Sequence, residues 1–538
     1  MEGRTITSSW KSNVLLALII LTLVPVVSAQ VVVNSGDWRD VYSGLQYASI
    51  TDQQGYFVTD TQQATRILSR LNPDEPVFLI TGNQQPMAGF RSLLVSRGFT
   101  IEDLRSTNAI DTNEELVLRA QPQNVIVVGD AYGYNAVSVG TYANKKQAGV
   151  LFASQRTSSV LEEISAQDVL VYGHIPSFLL ETFEDQASRI INNQDRFDDN
   201  FALFELFLQE YPSQLIILAN GEIIEEQLIT GTSPTLFIGR QTVPVRVTDV
   251  IRESNIQTAV LIGNALAPNA NTIKDRTGIS IFIKFAQGRD QQQFALDLFN
   301  VPVPNPLIQV ASAEYDATRQ TLLVTYQNPG SIATYFSATF VGEDTIEDAR
   351  PVFIEAGSYK TQQYQSVDLG EELAYTLLYG ASPRSLDLIV QGRVDVSRVQ
   401  IDDQSQLRVS SAMYDTRLEA FVIEVENTGP VDAFVVVEAV DVRVGNERVR
   451  VGSEVVRVPV GQSRQVELLV EMSERDLERN NELSLELFFG QRELSLVNFA
   501  RVTLGFSVGA SSALSWTWIV LVLFIAVLVG WFVTRKKR

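Results

Sequence analysis

Short, continuous apolar runs alternate with amphipathic stretches from Asp37 to about Gln287. Each run is followed directly by a glycine, and the runs lie at 77–81, 125–128, 169–172, 235–238 and 260–262. Strands that are apolar on both faces are typical of a parallel sheet covered by helices on both sides. A glycine at the end of such a strand lets the chain turn sharply into the next helix. The pattern therefore predicts an α/β region.

The α/β pattern also repeats. Helix, strand, helix, strand and glycine follow one another three times, with the first helix of each copy predicted at 40–48, 135–146 and 200–211. The strand after each of these helices is predicted at 56–59, 149–153 and 214–219. Repetition of a supersecondary unit at this scale is typical of a modular binding or scaffold region.

A proline-rich joint at 301–306 separates this region from one in which apolar and polar residues alternate with a period of two. Prolines block continued strand pairing, so the joint predicts a domain boundary. Two copies of a β module follow, and they align Tyr315, Asp316, Asn328 and Gly330 with Tyr414, Asp415, Asn427 and Gly429 at an offset of 99. The short alternating strands predict two immunoglobulin-like sandwiches, at 307–400 and 405–507, that resemble adhesion or stalk modules.

The two ends of the chain predict its topology. Residues 1–29 have the basic, apolar and small-residue segments of a cleaved signal peptide. Residues 513–534 form an uncharged, tryptophan-flanked stretch long enough for a transmembrane helix, and a basic tail follows at 535–538. These features predict a single-pass protein of the cell membrane, with an extracytoplasmic ectodomain and a cytoplasmic C terminus.

Charge and cysteine content narrow the function. The chain has 42 Lys and Arg against 63 Asp and Glu, a formal net charge of −21, and it contains no cysteine. Such an acidic surface argues against nucleic acid as a partner. The lack of cysteine excludes disulfides, thiol nucleophiles and cysteine-ligated metals.

The second copy of the α/β repeat resembles a known family. The stretch VIVVGDAYGYNAVSVGTYANKKQAGVLFAS, followed by VLEEISAQDVLVYGHIPSF, is similar to the cell wall-binding repeat type 2 family. The matching positions are Val125 to Gly129, Ala136, Val137, Ser138, Tyr142, Ala143, Leu151 and Gly173. The resemblance implies three tandem Rossmann-like modules, at about 37–124, 125–196 and 197–300 within a head at 30–305, that attach surface proteins to anionic wall polymers. This sequence departs from the family where Asp130 follows Gly129, because the family usually has paired glycines there.

Candidate catalytic and metal-binding residues are sparse. The single histidine, His174, follows a strand end without a serine motif or a second imidazole, so we predict no catalytic role for it. Asp195, Asp198 and Asp199 lack the spacing of a calcium loop and are interpreted as a solvated linker. Neither a Gly-Lys-Ser/Thr element nor GxGxxG follows a strand, so nucleotide binding is not expected. We predict no catalytic residue, no metal and no cofactor.

One loop has the composition of a carbohydrate site. Asp130, Tyr132, Tyr134 and Asn135 follow the strand that ends at Gly129. Aromatic faces next to an acid and an amide suit a sugar, so these four residues are the predicted ligand-binding residues.

Two functional hypotheses remain open. The first is a membrane-anchored structural or adhesion protein of the cell surface, part of a surface layer or bound to envelope glycan or to other surface proteins. The second is an ectoenzyme that acts on cell-surface polysaccharide. The ectoenzyme requires two carboxyl groups about 5 to 9.5 Å apart in one pocket at the carboxyl ends of the strands.

Overall fold

The computed structural model describes residues 30–509, apart from 194, 242, 264–265, 285–297, 317–319, 342–344, 366–370 and 446. The predicted signal peptide, transmembrane helix and basic tail therefore lie outside the described residues. Residues 30–175, 179–238 and 246–303 form one compact unit, and 176–178, 239–245 and 304–509 form a second. The first is an α/β unit and the second is a β unit, so the predicted class of α/β plus all-β is confirmed.

The α/β unit contains three parallel sheets of four strands each. The first comprises β1 (Gln30–Asn34), β2 (Gln54–Phe57), β3 (Val77–Thr81) and β4 (Ile101–Arg105); the second comprises β5 (Asn124–Val128), β6 (Ala148–Phe152), β7 (Asp168–Tyr172) and β8 (Arg189–Ile191). The third comprises β9 (Leu215–Ala219), β11 (Thr235–Phe237), β12 (Thr258–Ile262) and β13 (Ser280–Lys284), while β10 (Ile223–Ile224) pairs antiparallel with β14 (Phe299–Asn300). The strand orders are β2-β1-β3-β4, β6-β5-β7-β8 and β11-β9-β12-β13. Each of the three sheets thus has the same order.

Helices connect these strands, as parallel strands require. They are α1 (Trp38–Ile50), α2 (Thr61–Arg70), α3 (Phe90–Ser96), α4 (Ala109–Ala120), α5 (Tyr134–Lys146), α6 (Thr157–Glu163), α7 (Ser177–Leu180), α8 (Arg196–Glu210), α9 (Glu226–Thr230), α10 (Val245–Glu253) and α11 (Asn269–Thr277), with a 3₁₀ turn at Glu184–Gln186. Three of the longer helices begin where a side chain caps free backbone N–H groups: Asp37 caps α1, Asn108 caps α4 and Asp195 caps α8.

The strand order corrects the predicted register of the third repeat. Strands β1, β5 and β9 hold the same place in their sheets, so the helices that follow them, α1, α5 and α9, are equivalent. The helix that we predicted to open the third copy is α8, which precedes β9 and therefore corresponds to α4. An amphipathic helix next to an apolar strand gives the same pattern on either side of that strand. Only the hydrogen-bonded order distinguishes the two registers.

Two buried asparagines hold the edge strands of the second and third sheets. The Asn113 amide donates to the Val150 carbonyl at 2.9 Å and accepts from the Phe152 N–H at 2.8 Å. Asn200 makes the same pair of bonds, to the Thr235 carbonyl at 3.1 Å and from the Phe237 N–H at 2.7 Å. Each amide also donates to a buried serine, Ser43 for Asn113 and Ser138 for Asn200. These bonds fix α4 against β6 and α8 against β11.

Close helix packing joins the repeats. A Cβ at Gly140, in the middle of α5, would lie 2.4 Å from the carbonyl oxygen of Leu228 in α9. The missing side chain therefore lets the backbones of two modules approach closely.

The β unit contains two similar modules. The first comprises β15 (Gln309–Asp316), β16 (Thr321–Gln327), β17 (Thr334–Val341), β18 (Thr345–Glu347), β19 (Val352–Ile354), β20 (Tyr359–Gln365), β21 (Glu372–Gly380) and β22 (Leu388–Val399). The second comprises β23 (Leu407–Asp415), β24 (Ala420–Asn427), β25 (Ala433–Val444), β26 (Glu447–Gly452), β27 (Val456–Val458), β28 (Ser463–Leu469), α12 (Glu474–Arg479), β29 (Leu483–Gly490), β30 (Asn498–Leu504) and β31 (Ser507–Gly509). The alternating residues of each module meet in one apolar core.

The pairing is also shared by the two modules. In the first, β16 lies between β15 and β20, and β21 lies between β17 and β22. In the second, β24 and β29 take those central places. The last strand of the first module, β22, pairs antiparallel with β21 and then parallel with β15. In the second module, β30 pairs antiparallel with β29, and a separate strand, β31, pairs parallel with β23.

The repeated Asn-x-Gly turn has the same bonds in both modules. Asn328 donates to the Ile332 and Ile354 carbonyls, and Asn427 donates to the Val431 and Val458 carbonyls. The side-chain oxygen of each asparagine accepts from the N–H of the glycine two residues later at 2.9 Å. The equivalence predicted from the offset of 99 therefore extends to individual hydrogen bonds.

A buried ion pair joins the two modules. The Nζ of Lys360 on β20 lies 2.6 Å from Oε1 of Glu438 on β25, and the two side chains are 5% and 2% exposed. Arg450 contacts the other oxygen of Glu438 at 2.8 Å, and Lys360 Nζ lies 4.2 Å from the centre of the Phe488 ring. Nearby, Arg492 forms two 2.9 Å hydrogen bonds to Glu314. The modules thus meet through directed polar contacts.

The predicted localisation requires correction. Within the described parts of 30–509, no helix is both long enough and apolar enough to span a membrane. The predicted localisation as a single-pass membrane protein is corrected accordingly. A membrane helix as a partner is not supported in the described part of the chain.

Candidate functional site

A cavity of about 700 Å³ lies at the carboxyl end of the first sheet. It is lined by residues 35–40, 83–84, 106–109 and 299–300. The first three segments follow β1, β3 and β4, because parallel strands bring their carboxyl ends to one edge of the sheet. This edge is where α/β folds commonly bind ligands. The fourth segment is β14, which reaches the edge from more than 190 residues farther along the chain.

A buried carboxyl group lies at the cavity wall. Asp40, in the first turn of α1, is 2% exposed and accepts hydrogen bonds from Ser35 at 2.6 Å and from Ser106 at 2.7 Å. Thr112 in turn donates to Ser106 at 2.8 Å. Burial raises the pKa of Asp40, and the two serine hydroxyls partly offset this increase. Asp40 therefore ties the loop after β1 to the loop after β4.

We expect replacement of Asp40 by asparagine to change the pH dependence of stability. Because burial raises the pKa of Asp40 in the folded protein, the folded state binds its proton more tightly than the unfolded state. The contribution of Asp40 to stability is thus fully present below its unfolded pKa and declines as the pH rises through its folded pKa. The asparagine of the variant cannot ionise, so the free energy of unfolding of wild type should fall relative to the variant as the pH rises above about 4, the ordinary pKa of an aspartate. Urea unfolding at a series of pH values tests the prediction, and parallel curves would contradict it.

One arginine is held in the cavity by two acids. Arg39 Nη1 lies 3.1 Å from Asp37 Oδ2, and Arg39 Nε lies 3.1 Å from Asp130 Oδ2. The guanidinium carbon also lies 5.5 Å from the centre of the Trp38 ring. These contacts fix the orientation of Arg39 and neutralise its charge locally, so the cavity does not present an isolated cation.

Amide groups form much of the remaining cavity surface. Asn83, Gln84, Asn108 and Asn300 are exposed and line the cavity. The Asn83 amide donates to the Thr107 carbonyl at 2.9 Å, which orients it. Amides supply both donors and acceptors, and the Phe299 ring adds an apolar wall. The surface thus suits an uncharged ligand with several hydroxyl groups.

None of the four predicted ligand residues, Asp130, Tyr132, Tyr134 and Asn135, lines this cavity. Asp130 reaches it through Arg39. The rings of Tyr132 and Tyr134 stack on each other, with centroids 5.8 Å apart and an angle of 16°. Asn135 is 4% exposed and packs over Gly173, where an added Cβ would lie within 2.7 Å of the Asn135 amide. Of these contacts, only the ion pair between Asp130 and Arg39 involves a residue that lines the cavity.

The tyrosine pair is further enclosed by a neighbouring helix. The guanidinium carbon of Arg196, in α8, lies 5.9 Å from the centre of the Tyr134 ring. Burial raises the pKa of Tyr134 to about 12, and Arg196 opposes that increase. The Tyr134 ring is thus engaged inside the α/β unit.

Two other candidates have local roles. His174 is exposed. Its backbone carbonyl oxygen packs against Gly129, because a Cβ added to that glycine would lie only 2.4 Å from the oxygen. Asp195 caps α8 and is 4% exposed, Asp199 is 3% exposed, and Asp198 pairs with Arg246 at 2.5 Å. The aspartates therefore begin a helix, and our interpretation as a solvated linker was wrong. No group of three or more His, Cys, Asp or Glu side chains suited to a metal occurs in the described part of the chain.

The two aspartates that line the cavity are engaged by neighbouring groups, which bears on the ectoenzyme hypothesis. Asp37 and Asp40 both line the cavity. Both oxygens of Asp40 accept hydroxyl hydrogen bonds, while Asp37 caps α1 and pairs with Arg39. An acid or base in a hydrolase must reach the bond that breaks. The present contacts instead hold the two groups in structural positions.

The sequence interpretation missed the centre of this cavity. Residues 31–33 are a buried apolar run, but they adjoin the predicted signal-peptide cleavage point and were not assigned to a strand. Without β1, the loop 35–37 had no recognised strand end before it. The feature of the sequence that could have indicated this strand end is the polar Asn-Ser-Gly-Asp stretch directly after three valines.

No family model and no curated protein matches the chain. Among solved structures, Cwp8 from Clostridium difficile aligns with 47% of this chain and 48% of its own at 14% identity and a TM-score of 0.39. Cwp6 from Clostridium difficile aligns with 50% of this chain and 56% of its own at 15% identity and a TM-score of 0.35. The YadV chaperone aligns with 37% of this chain and 99% of its own at 13% identity and a TM-score of 0.14.

Cwp8 and Cwp6 are similar to about half of this chain at low identity. The chain spans about half the length of each. With TM-scores below 0.5, the likenesses carry no argument about ligand or activity.

Proposed function

We propose that this chain is a binding protein of the cell surface that takes an uncharged, hydroxyl-rich envelope glycan in the cavity of its α/β unit. The observation that carries the proposal is the cavity itself, which combines exposed amides, a charge-compensated arginine and an aromatic wall at the carboxyl end of a parallel sheet. Sugars offer hydroxyl groups to such amides and C–H faces to such rings.

Charge supports an uncharged glycan over an anionic polymer. The chain has a net charge of −21, and the arginine in the cavity is paired with Asp37 and Asp130. An anionic polymer would meet repulsion from the acidic surface, and the paired arginine would do little to compensate for it. Asp130 takes part in this proposal as the residue that positions Arg39. Tyr132, Tyr134 and Asn135 would support the loop that carries Asp130.

The β unit is proposed to be the structural part of the protein. Its two modules have the strand pairing expected of immunoglobulin-like sandwiches, with predicted bounds of 307–400 and 405–507. Buried contacts between the modules would make them one stiff element. Such an element resists bending under load better than two domains on a flexible linker.

We expect the purified chain to sediment with isolated cell envelopes, and cavity variants to lose this association. Replacing both Gln84 and Asn300 with alanine removes two exposed amides that line the cavity. At about 0.5 to 1.5 kcal/mol for each hydrogen bond, the apparent Kd should rise about 5-fold or more. Cosedimentation over a range of protein concentrations gives the apparent Kd.

A matched control separates the cavity from the general surface. Gln62 and Asn271 are exposed amide side chains on α2 and α11, outside the cavity, and their alanine variants should bind like wild type. Competition by neutral oligosaccharides should displace the chain, whereas an anionic polymer should not. Equal binding by the cavity and control variants would reject the cavity as the site. Release of reducing ends from the envelope would favour the ectoenzyme instead.

A further inference from the structure

One wall of the cavity is a strap formed by residues 299–303, far along the chain from the other walls. Phe299 and Asn300 pair with β10 in a ladder of only two residues. The Val301 N–H then donates to the Glu222 carbonyl at 3.0 Å. The Gly133 N–H donates to the Pro302 carbonyl, also at 3.0 Å. The strap thus touches the third module at β10 and the second module at Gly133.

Val301 anchors this strap. Its side chain is 5% exposed and occupies the space in front of Gly133. A Cβ at Gly133 would lie 2.3 Å from the Cβ of Val301 and 2.8 Å from both of its methyl carbons. Gly133 has φ −73° and ψ −15°, a conformation open to any residue. The backbone conformation therefore does not require glycine at position 133. Glycine is required because the docked Val301 side chain leaves no space for a Cβ.

The strap also reaches the first module. The Phe299 ring lies 6.3 Å from the buried Phe57 ring in a nearly perpendicular arrangement. Phe299 and Asn300 both line the cavity, and they precede the anchor by only one or two residues. The docked Val301 is therefore adjacent in sequence to the two residues that form this cavity wall.

We propose that the strap is a gate of the cavity: docking of Val301 against Gly133 sets the wall that a glycan contacts, and release of Val301 opens it. This inference rests on the proposed function, and it adds regulation to that site. A ligand that contacts Phe299 or Asn300 would bind the docked form better than the released form. By linkage, the ligand would then stabilise docking by the same factor by which docking strengthens binding.

The test uses a substitution outside the cavity. Gly133→Ala places a methyl group against Val301, so it should release the strap without changing a residue that lines the cavity. Hydrogen exchange of the full chain without ligand should show the Val301 and Gly133 amides exchanging at least about 10-fold faster. The apparent Kd for isolated envelopes should rise by at least about 10-fold.

A compensating variant and a neutral glycine complete the design. Gly133→Ala with Val301→Gly removes the clash, so it should bring binding closer to wild type than Gly133→Ala does. Gly505→Ala, where an added Cβ would lie 4.0 Å from the Asn481 carbonyl oxygen, should change neither measurement. Faster exchange with unchanged envelope binding would overturn the gate and leave the proposed function intact. Unchanged exchange in Gly133→Ala would also overturn it. If wild type does not bind envelopes, the proposed function fails and the gate fails with it.

Discussion

Replacing Lys360 with methionine is expected to lower the free energy of unfolding of the β unit by about 3 kcal/mol, the lower end of the range for breaking a buried ion pair. Lys360 and Glu438 are 2.6 Å apart and both are almost fully buried. Methionine fills similar space but leaves the Glu438 carboxylate without one of its two cationic partners. Arg450 remains at 2.8 Å and moderates the loss.

The environment of Lys360 explains why the pair matters. Burial lowers the pKa of Lys360, and the carboxylate of Glu438 opposes that decrease. The Phe488 ring contributes a further attraction to the ammonium group. Removing the lysine therefore leaves Arg450 as the remaining cation that offsets the cost of burying Glu438.

Hydrogen exchange of β20 and β25 in increasing urea measures this change in the β unit alone. The double variant Lys360→Met with Glu438→Leu should recover most of the lost stability, because apolar side chains then replace both charges. Lys274→Met, on the exposed side of α11, should stay within about 0.5 kcal/mol of wild type. A Lys360→Met variant as stable as the Lys274 control would show that the ion pair does not hold the modules together.

Replacing Asn200 with alanine is expected to lower the free energy of unfolding of the α/β unit by about 2 to 6 kcal/mol. The substitution leaves the Phe237 N–H and the Thr235 carbonyl of an edge strand without their amide partner, and each such buried group costs about 1 to 3 kcal/mol. The Asn200 side chain is fully buried, so no space is open for water to enter without rearrangement.

The repeat supplies its own comparison for Asn200. Asn113→Ala removes the same two bonds in the second module and should have an effect of similar size. Asn271→Ala, at an exposed position of α11, should change stability by no more than about 0.5 kcal/mol. Urea unfolding of the three variants gives the comparison. If Asn113→Ala and Asn200→Ala behave like the Asn271 control, then other contacts hold the edge strands.

Most strands of the α/β unit could be predicted because their side chains are apolar on both faces. The run at 77–81 coincides with β3, and the run at 125–128 lies within β5. The helix predicted at 135–146 differs from α5 by one residue. These elements are set by local periodicity, which is present in the sequence itself.

The candidate site was harder to predict because its residues come from separate parts of the chain. The cavity joins loops near residues 35, 83 and 106 to a strap near residue 300. The sequence did identify Asp130 as a residue of interest, but it contained no sign that Asp130 would pair with Arg39. A pairing between residues so far apart along the chain has no periodic signal.

The sequence by itself determined most strands of the α/β unit, the division into α/β and all-β regions and the paired β modules, because burial on one or both faces leaves a local pattern of apolar residues. Only the tertiary structure decided which helix opens the third repeat, where the strap lies and which charges meet between the β modules. These features depend on contacts between segments that are distant in sequence, and such contacts form only when the sheets are assembled.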